Sequence, residues 1–224
     1  MAAERLVICL DVGKEMAAPW EVEGGNDVTR LKVVCVALVN LVKLKLGMNA
    51  KHQFAVCLFA DSAVWLQDYT SNLHVLQDVL LGAQVHDSGD EGELGSLFST
   101  LEEHLSELAS ELVRVVVVYG RAAPVAASSV MTVTELLQRP RFYLDWLCIR
   151  GQDGQVGQGY EVSSEDQETG DSLRGMKNTY YMEQQHSSGD LQTNIGLLLA
   201  HPEQRSSQAH AEKLMTQPSI RDTS

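Results

Sequence analysis

The run LVICL at residues 6–10, stopped by Asp11, constrains the fold more than any other stretch. Five consecutive apolar residues leave no polar face. They read as a strand covered on both sides, as in the interior of a parallel sheet. A second such run, VRVVVVY at Val113–Tyr119, is the most apolar strand of the chain and belongs at the sheet centre. Parallel neighbours need long crossover connections, usually helices, so these two runs already call for an α/β architecture. An aspartate at the carboxyl end of a buried strand also stands where open α/β sheets hold their ligands.

The remaining chain supplies the alternation. Residues 14–26 form a loop with Pro19, Gly24 and Gly25, and Asn26 or Asp27 is expected to cap the next helix. That helix repeats apolar residues at steps of three and four from Leu31 to Val42 and is expected to stop near Gly47. Residues 54–60 and 63–66 read as two strands joined by a tight turn at Asp61-Ser62. Further helices are expected at 72–81, 94–112, 133–138 and 191–200, and further strands at 142–149 and, as an edge, 178–183. The fold class is therefore α/β, a doubly wound three-layer sandwich with one antiparallel hairpin strand. Residues 1–201 read as the domain. Within it, 151–175 read as a mobile, acidic, glycine-rich loop, and residues 202–224 follow as a polar tail that orders against a partner.

Charge and cysteine content narrow the functional classes. The formal net charge of −13 disfavours nucleic acid and anionic membrane, both of which select clustered Lys and Arg. Cys9, Cys35, Cys57 and Cys148 lie singly in apolar segments and read as buried thiols in a reducing compartment. No leader and no 18-residue apolar run is read, which gives the expectation of a soluble intracellular protein. The seven histidines fall at loops or polar helix faces, without HExxH or HxH spacing. No GxSxG elbow accompanies the serines. GQVGQG at 154–159 precedes no strong helix and reads as plain loop. A catalytic constellation is not expected, and neither is a cofactor.

A strand ending in aspartate, then a long helix, a hairpin and further alternation, resembles the von Willebrand factor A domain. That family holds a divalent cation with a DxSxS loop, a threonine from a later loop and an aspartate after the fourth strand, all oxygen ligands for a hard ion. Here the first motif reads Asp11-Val12-Gly13-Lys14-Glu15, and the later loop Asp90-Glu91-Gly92-Glu93-Leu94-Gly95-Ser96 has no threonine. Tyr119-Gly120-Arg121 stands where the family has its aspartate. Asp11, Gly13 and Glu15 thus read as a degenerate metal site. Asp11 is expected to accept N–H bonds from its own loop. The alternative is a cation-dependent protein-binding A domain that uses Asp11 with Glu15 and Glu93.

A second resemblance covers nearly the whole chain. LVICLD, Trp65-Leu66 with Thr70-Ser71, Gly95-Ser96-Leu97-Phe98-Ser99, Val115 to Tyr119, Phe142-Tyr143 with Asp145, and Leu198-Leu199-Ala200-His201-Pro202 are similar to the divergent A-domain subunit of BRISC and BRCA-A type deubiquitinase assemblies. This is the mediator of Rap interactions and targeting family. The resemblance implies a non-catalytic adaptor in a complex whose JAMM-type zinc enzyme cleaves lysine-63-linked polyubiquitin. It also implies direct contact with a BRE-type subunit built of ubiquitin-conjugating-enzyme-variant domains, and an Abraxas-like scaffold in the same complex. The roles implied are DNA repair in the nucleus and receptor or spindle deubiquitination in the cytoplasm. The partner-binding residues expected are Pro202, Arg205, His201 and Gln204 of the PxxR tail, together with Trp20, read as an exposed loop aromatic.

Overall fold

The computed structural model describes residues 2–20, 28–87, 94–108, 110–121, 136–150, 178–185, 188–208, 210–211 and 213. In chain order its elements are β1 (Arg5–Asp11), β2 (Pro19–Trp20), β3 (Val28–Thr29), α1 (Arg30–Met48), β4 (Gln53–Phe59), β5 (Ala63–Thr70), α2 (Leu73–Leu81), α3 (Leu94–Leu105), β6 (Val113–Tyr119), β7 (Phe142–Arg150), β8 (Thr179–Gln185) and a last helix, α4 (Ser188–Leu199). Six strands form one sheet in the order β5-β4-β1-β6-β7-β8. All pairs are parallel except the β4–β5 hairpin. The two apolar runs that anchor the sequence reading, β1 and β6, lie side by side at the centre.

Alternation along each strand sorts its side chains between two cores. Leu6, Ile8 and Leu10 of β1 join Val116 and Val118 of β6 under α1, α2 and α4. Val7 and Cys9 face the other way with Val115, Val117 and Trp146, under α3. Each fully buried aliphatic chain contributes roughly 1.5–3 kcal/mol by leaving water. All four cysteines are free and buried.

Several boundaries differ from the sequence reading. Thr29, not Asn26 or Asp27, caps α1: its hydroxyl accepts the Lys32 N–H at 3.3 Å. The chain is held there by the β2–β3 pair, and α1 then runs through Gly47 to Met48. The hairpin strand extends to Thr70 because Trp65 and Tyr69 alternate inward against the second core while Val64 and Asp68 face water. The helix expected over 94–112 gives way after Leu105 to a short 3-10 turn, where the Ser106 hydroxyl bonds back to the Glu103 carbonyl. The loop expected over 151–175 and most of the helix expected over 133–138 lie outside the described residues, as do 214–224.

Candidate functional site

Asp11 ends β1 at the carboxyl edge of the sheet and is fully buried. Its Oδ1 accepts the Gly13 N–H at 2.9 Å, the own-loop bond expected from sequence, and its Oδ2 accepts the Gly120 N–H at 3.1 Å. Arg121, one residue farther on, closes the centre. Its Nε reaches Oδ2 at 3.2 Å, its Nη2 reaches Oδ1 at 3.4 Å, and Nη2 also donates to the Ala60 carbonyl at 2.7 Å. Met16, fully buried in the turn after β1, lies so close over Gly120 that a β-carbon there would meet its sulfur at 2.1 Å. Burial raises the Asp11 carboxyl above its ordinary value, while Arg121 and the two N–H groups pull against that rise.

The residues present do not fit a divalent cation. One carboxylate contributes oxygens, and both are engaged by N–H donors including a guanidinium. Gly13 brings no side-chain oxygen, and Arg121 brings charge of the wrong sign for a metal ligand. Glu15 is half-buried in the short turn between β1 and β2. Glu91 and Glu93 lie outside the described residues. Among the described residues no group of three His, Cys, Asp or Glu side chains is placed to hold a metal ion.

A second buried centre lies on the three-helix face of the sheet. Arg114, the second residue of β6, donates from Nε to Asp145 Oδ2 at 2.7 Å and from Nη1 to the carbonyls of Leu198 and Ala200 at 2.6 and 3.0 Å. Asp145 also receives Arg205 Nη1 at 2.6 and 2.8 Å and the Tyr180 N–H at 3.1 Å. The Arg205 guanidinium stacks 3.9 Å from the Tyr180 ring centre. Three residues on, the Gln208 amide accepts the Tyr181 N–H at 2.7 Å and donates to the Tyr181 carbonyl, satisfying edge strand β8 much as another strand would. Nearby, Lys45 pairs with Glu4 at 2.6 Å, both buried. Burial, with repulsion from Arg114, pushes Lys45 down to about 8 against the attraction of Glu4. Burial likewise lowers His52 and His201.

No family model matches the chain. In sequence it is similar to BRISC and BRCA1-A complex member 1 of Bos taurus, with 28% identity covering 93% of this chain and 66% of that protein. The protein of the same name from Homo sapiens is 27% identical over 93% of this chain and 67% of its own. The chain thus spans about two thirds of the length of these relatives. Among solved structures, the SpRpn10 VWA domain superposes with a TM-score of 0.61 at 13% identity, covering 88% of this chain and 95% of that one. This chain has a von Willebrand factor A fold. The resemblances drawn from the sequence, to the A domain and to the BRISC and BRCA1-A complex subunit, are both borne out.

Within this A domain the expected site residues divide sharply. Asp11 and Gly13 meet in one centre with Arg121, and Glu15 does not join them. Trp20, expected to be exposed, is 2% exposed and packs into the three-helix core, where the β2–β3 pair sets it opposite Val28. His201 and Pro202 are buried as well. The Arg205 side chain is 5% exposed and turned toward Asp145. Gln204 is exposed. Residues 201–208 are therefore seated on the domain itself, where the sequence reading had 202–224 ordering only against a partner. His52 is buried too, contrary to the expectation of polar surroundings, with Nδ1 accepting the Glu4 N–H at 2.9 Å.

The sequence reading missed the roles of Arg121, Arg114 and Asp145. Arg121 stood out as a lost carboxylate but not as a replacement cation. Arg114 and Asp145 carried a plainer signal: a lone charge within VRVVVVY and another within the apolar part, FYLDWLCI, of β7, segments apolar enough that each charge demands a partner.

Proposed function

We propose that the chain is a non-catalytic scaffold subunit of a BRISC or BRCA-A type deubiquitinase complex. The observation that carries this reading is the match over 93% of the chain to proteins named as members of those complexes. The A-domain centre supports it: Asp11 is neutralised within the fold by Arg121 and leaves no open ligand position for a partner carboxylate. Following the resemblance, the direct partner is a BRE-type subunit, with an Abraxas-like scaffold and a JAMM-type zinc enzyme completing the assembly. The chain works in cytoplasm and nucleus and adds stability rather than chemistry.

The proposed contact is the outward side of 202–207, where Glu203, Gln204, Ser206 and Ser207 are exposed while Arg205 anchors the segment from beneath. The test is a pull-down of a BRE-type subunit by the intact chain and by a Gln204→Glu, Ser206→Glu variant. Truncation after Ala200 is a poor test, because it also removes Arg205 and Gln208 from the body. Binding by the intact chain and its loss in the variant supports both the partner and the surface. Binding by both moves the interface elsewhere on the domain. Binding by neither overturns the assignment.

A further inference from the structure

Helices α1 and α3 cover opposite faces of the sheet and turn different chemistry outward. The outward positions of α3 are polar: Ser99, Glu102, Glu103 and His104 are exposed. Helix α1 turns apolar chains into water. Val36, Leu44 and Met48 are 46%, 51% and 48% exposed, and they account for three of the five large exposed hydrophobic residues among the described residues. The sheet, α2 and α4 cover its inner side and flanks. A helix that is apolar nearly all round is ordinarily covered all round. Among the described residues nothing covers the outer side.

The charges that α1 itself carries are one-signed, although flanking α2 adds the exposed Asp78. All 30 acidic residues of the chain lie outside residues 28–60, a stretch that contains Arg30, Lys32, Lys43, Lys45 and Lys51. Lys32, Lys43 and Lys51 are exposed. At 3.6 residues per turn, Lys32 and Lys43 fall within about 20° of each other, and Val36, Leu44 and Met48 follow within about 160° of Lys32. From residue 32 to 48 the stripe runs about 24 Å, some four to five turns. Since α1 lies between α2 and α4, it runs down the middle of the three-helix face.

We infer that the outward face of α1 is a docking surface for an acidic amphipathic helix of another protein. The apolar side of such a helix covers Val36, Leu44 and Met48, and its carboxylates meet Lys32, Lys43 and Lys51. The other occupants fit worse. A second copy related by a two-fold axis brings the same lysines against each other. An anionic bilayer or nucleic acid presents an extended negative surface to a chain of net charge −13, whereas a single helix meets only the basic strip of α1. The inference stands independently of complex membership.

The test is fluorescence anisotropy with the full chain and a labelled model peptide of about five helical turns, leucine on one face and glutamate beside it. A counterpart with lysine for glutamate serves as the control. Saturable binding of the acidic peptide alone is expected, weakening as salt rises. Lys32→Glu with Lys43→Glu, and separately Leu44→Ser, is expected to weaken it by about tenfold or more. These side chains are exposed, so their unfolding midpoints stay near that of the parent. Absence of saturable binding, equal binding of both peptides, or indifference to the substitutions overturns the proposal. So does a concentration-dependent dimer abolished by the lysine reversals, or equal uptake by phosphatidylserine vesicles.

Discussion

Asp11 at the end of β1 and Asp145 in the middle of β7 are both fully buried, and arginine answers both. Their surroundings separate them. Asp11 is held by residues from the loops at one sheet edge, and its arginine touches only Asp11 and the Ala60 carbonyl among the bonds described. Asp145 gathers two arginines, one from the neighbouring strand and one from beyond the last helix, and Arg114 in turn holds the carbonyls that end α4. The first is a self-contained neutralisation at the position where an A domain keeps its cation. The second is a clasp that fastens the end of the chain to the sheet. Burial of a charge therefore marks a local repair in one place and a long-range tie in the other.

Removing Asp145 breaks the comparison hardest. Asp145→Ala leaves the fully buried Arg114 with Glu4, 3.7 Å away, and two carbonyls in place of its closest ion pair and releases Arg205, and about 5 kcal/mol of stability is expected to go. Urea unfolding checks this, and a loss within 1 kcal/mol would reduce the clasp to ornament. Next is Asp11→Ala, which leaves Arg121 uncompensated at a cost of about 3–5 kcal/mol. Asp11→Leu combined with Arg121→Met is expected to restore part of it, since the uncompensated charge is gone while the Gly13 and Gly120 N–H groups and the Ala60 carbonyl lose their partners. A double substitution as damaging as the single one would show that the centre needs its charges.

Arg205→Ala ranks third, at about 2–3 kcal/mol, because Asp145 keeps Arg114 and the Tyr180 N–H. Its specific signature is faster hydrogen exchange at the Tyr181 amide as the Gln208 contact loosens, and Arg205→Lys is expected not to rescue it, because the guanidinium stacks on Tyr180 and its second nitrogen also holds the Asn178 carbonyl.

The smallest effect is a pH dependence. The folded state releases the Lys45 proton near pH 8, whereas an unfolded chain holds it to about 10.4. Between those values the folded state binds fewer protons than the unfolded one, so this group's contribution rises with pH. Lys45→Met is expected to flatten that rise in unfolding midpoints taken across the range.

The sheet was legible because its strands carry unbroken apolar runs, which survive almost any loop variation. LVICL and VRVVVVY located its centre, and Leu31 to Val42 located the long crossover helix. Boundaries failed where tertiary contacts overrode local signals, as where the β2–β3 pair moved the cap of α1 to Thr29 and buried Trp20. The degenerate site was legible as a loss, since absent oxygens can be read from residue types. Its replacement was not, because a guanidinium near Asp11 is a fact of three-dimensional placement. The tail misled for the same reason: a polar PxxR segment looks free until Asp145, buried in β7, is seen to need its arginine.

The central claim is that Arg121 supplies at this A-domain centre the positive charge that a divalent cation supplies elsewhere in the fold. It is tested most directly by thermal unfolding of the intact chain in millimolar magnesium or manganese and in a chelator. A ligand that binds only the folded state raises its stability by mass action. An unfolding midpoint that stays fixed across all these conditions is the expected result. A saturable rise with the cation, reversed by the chelator and abolished by Asp11→Asn, would contradict the claim.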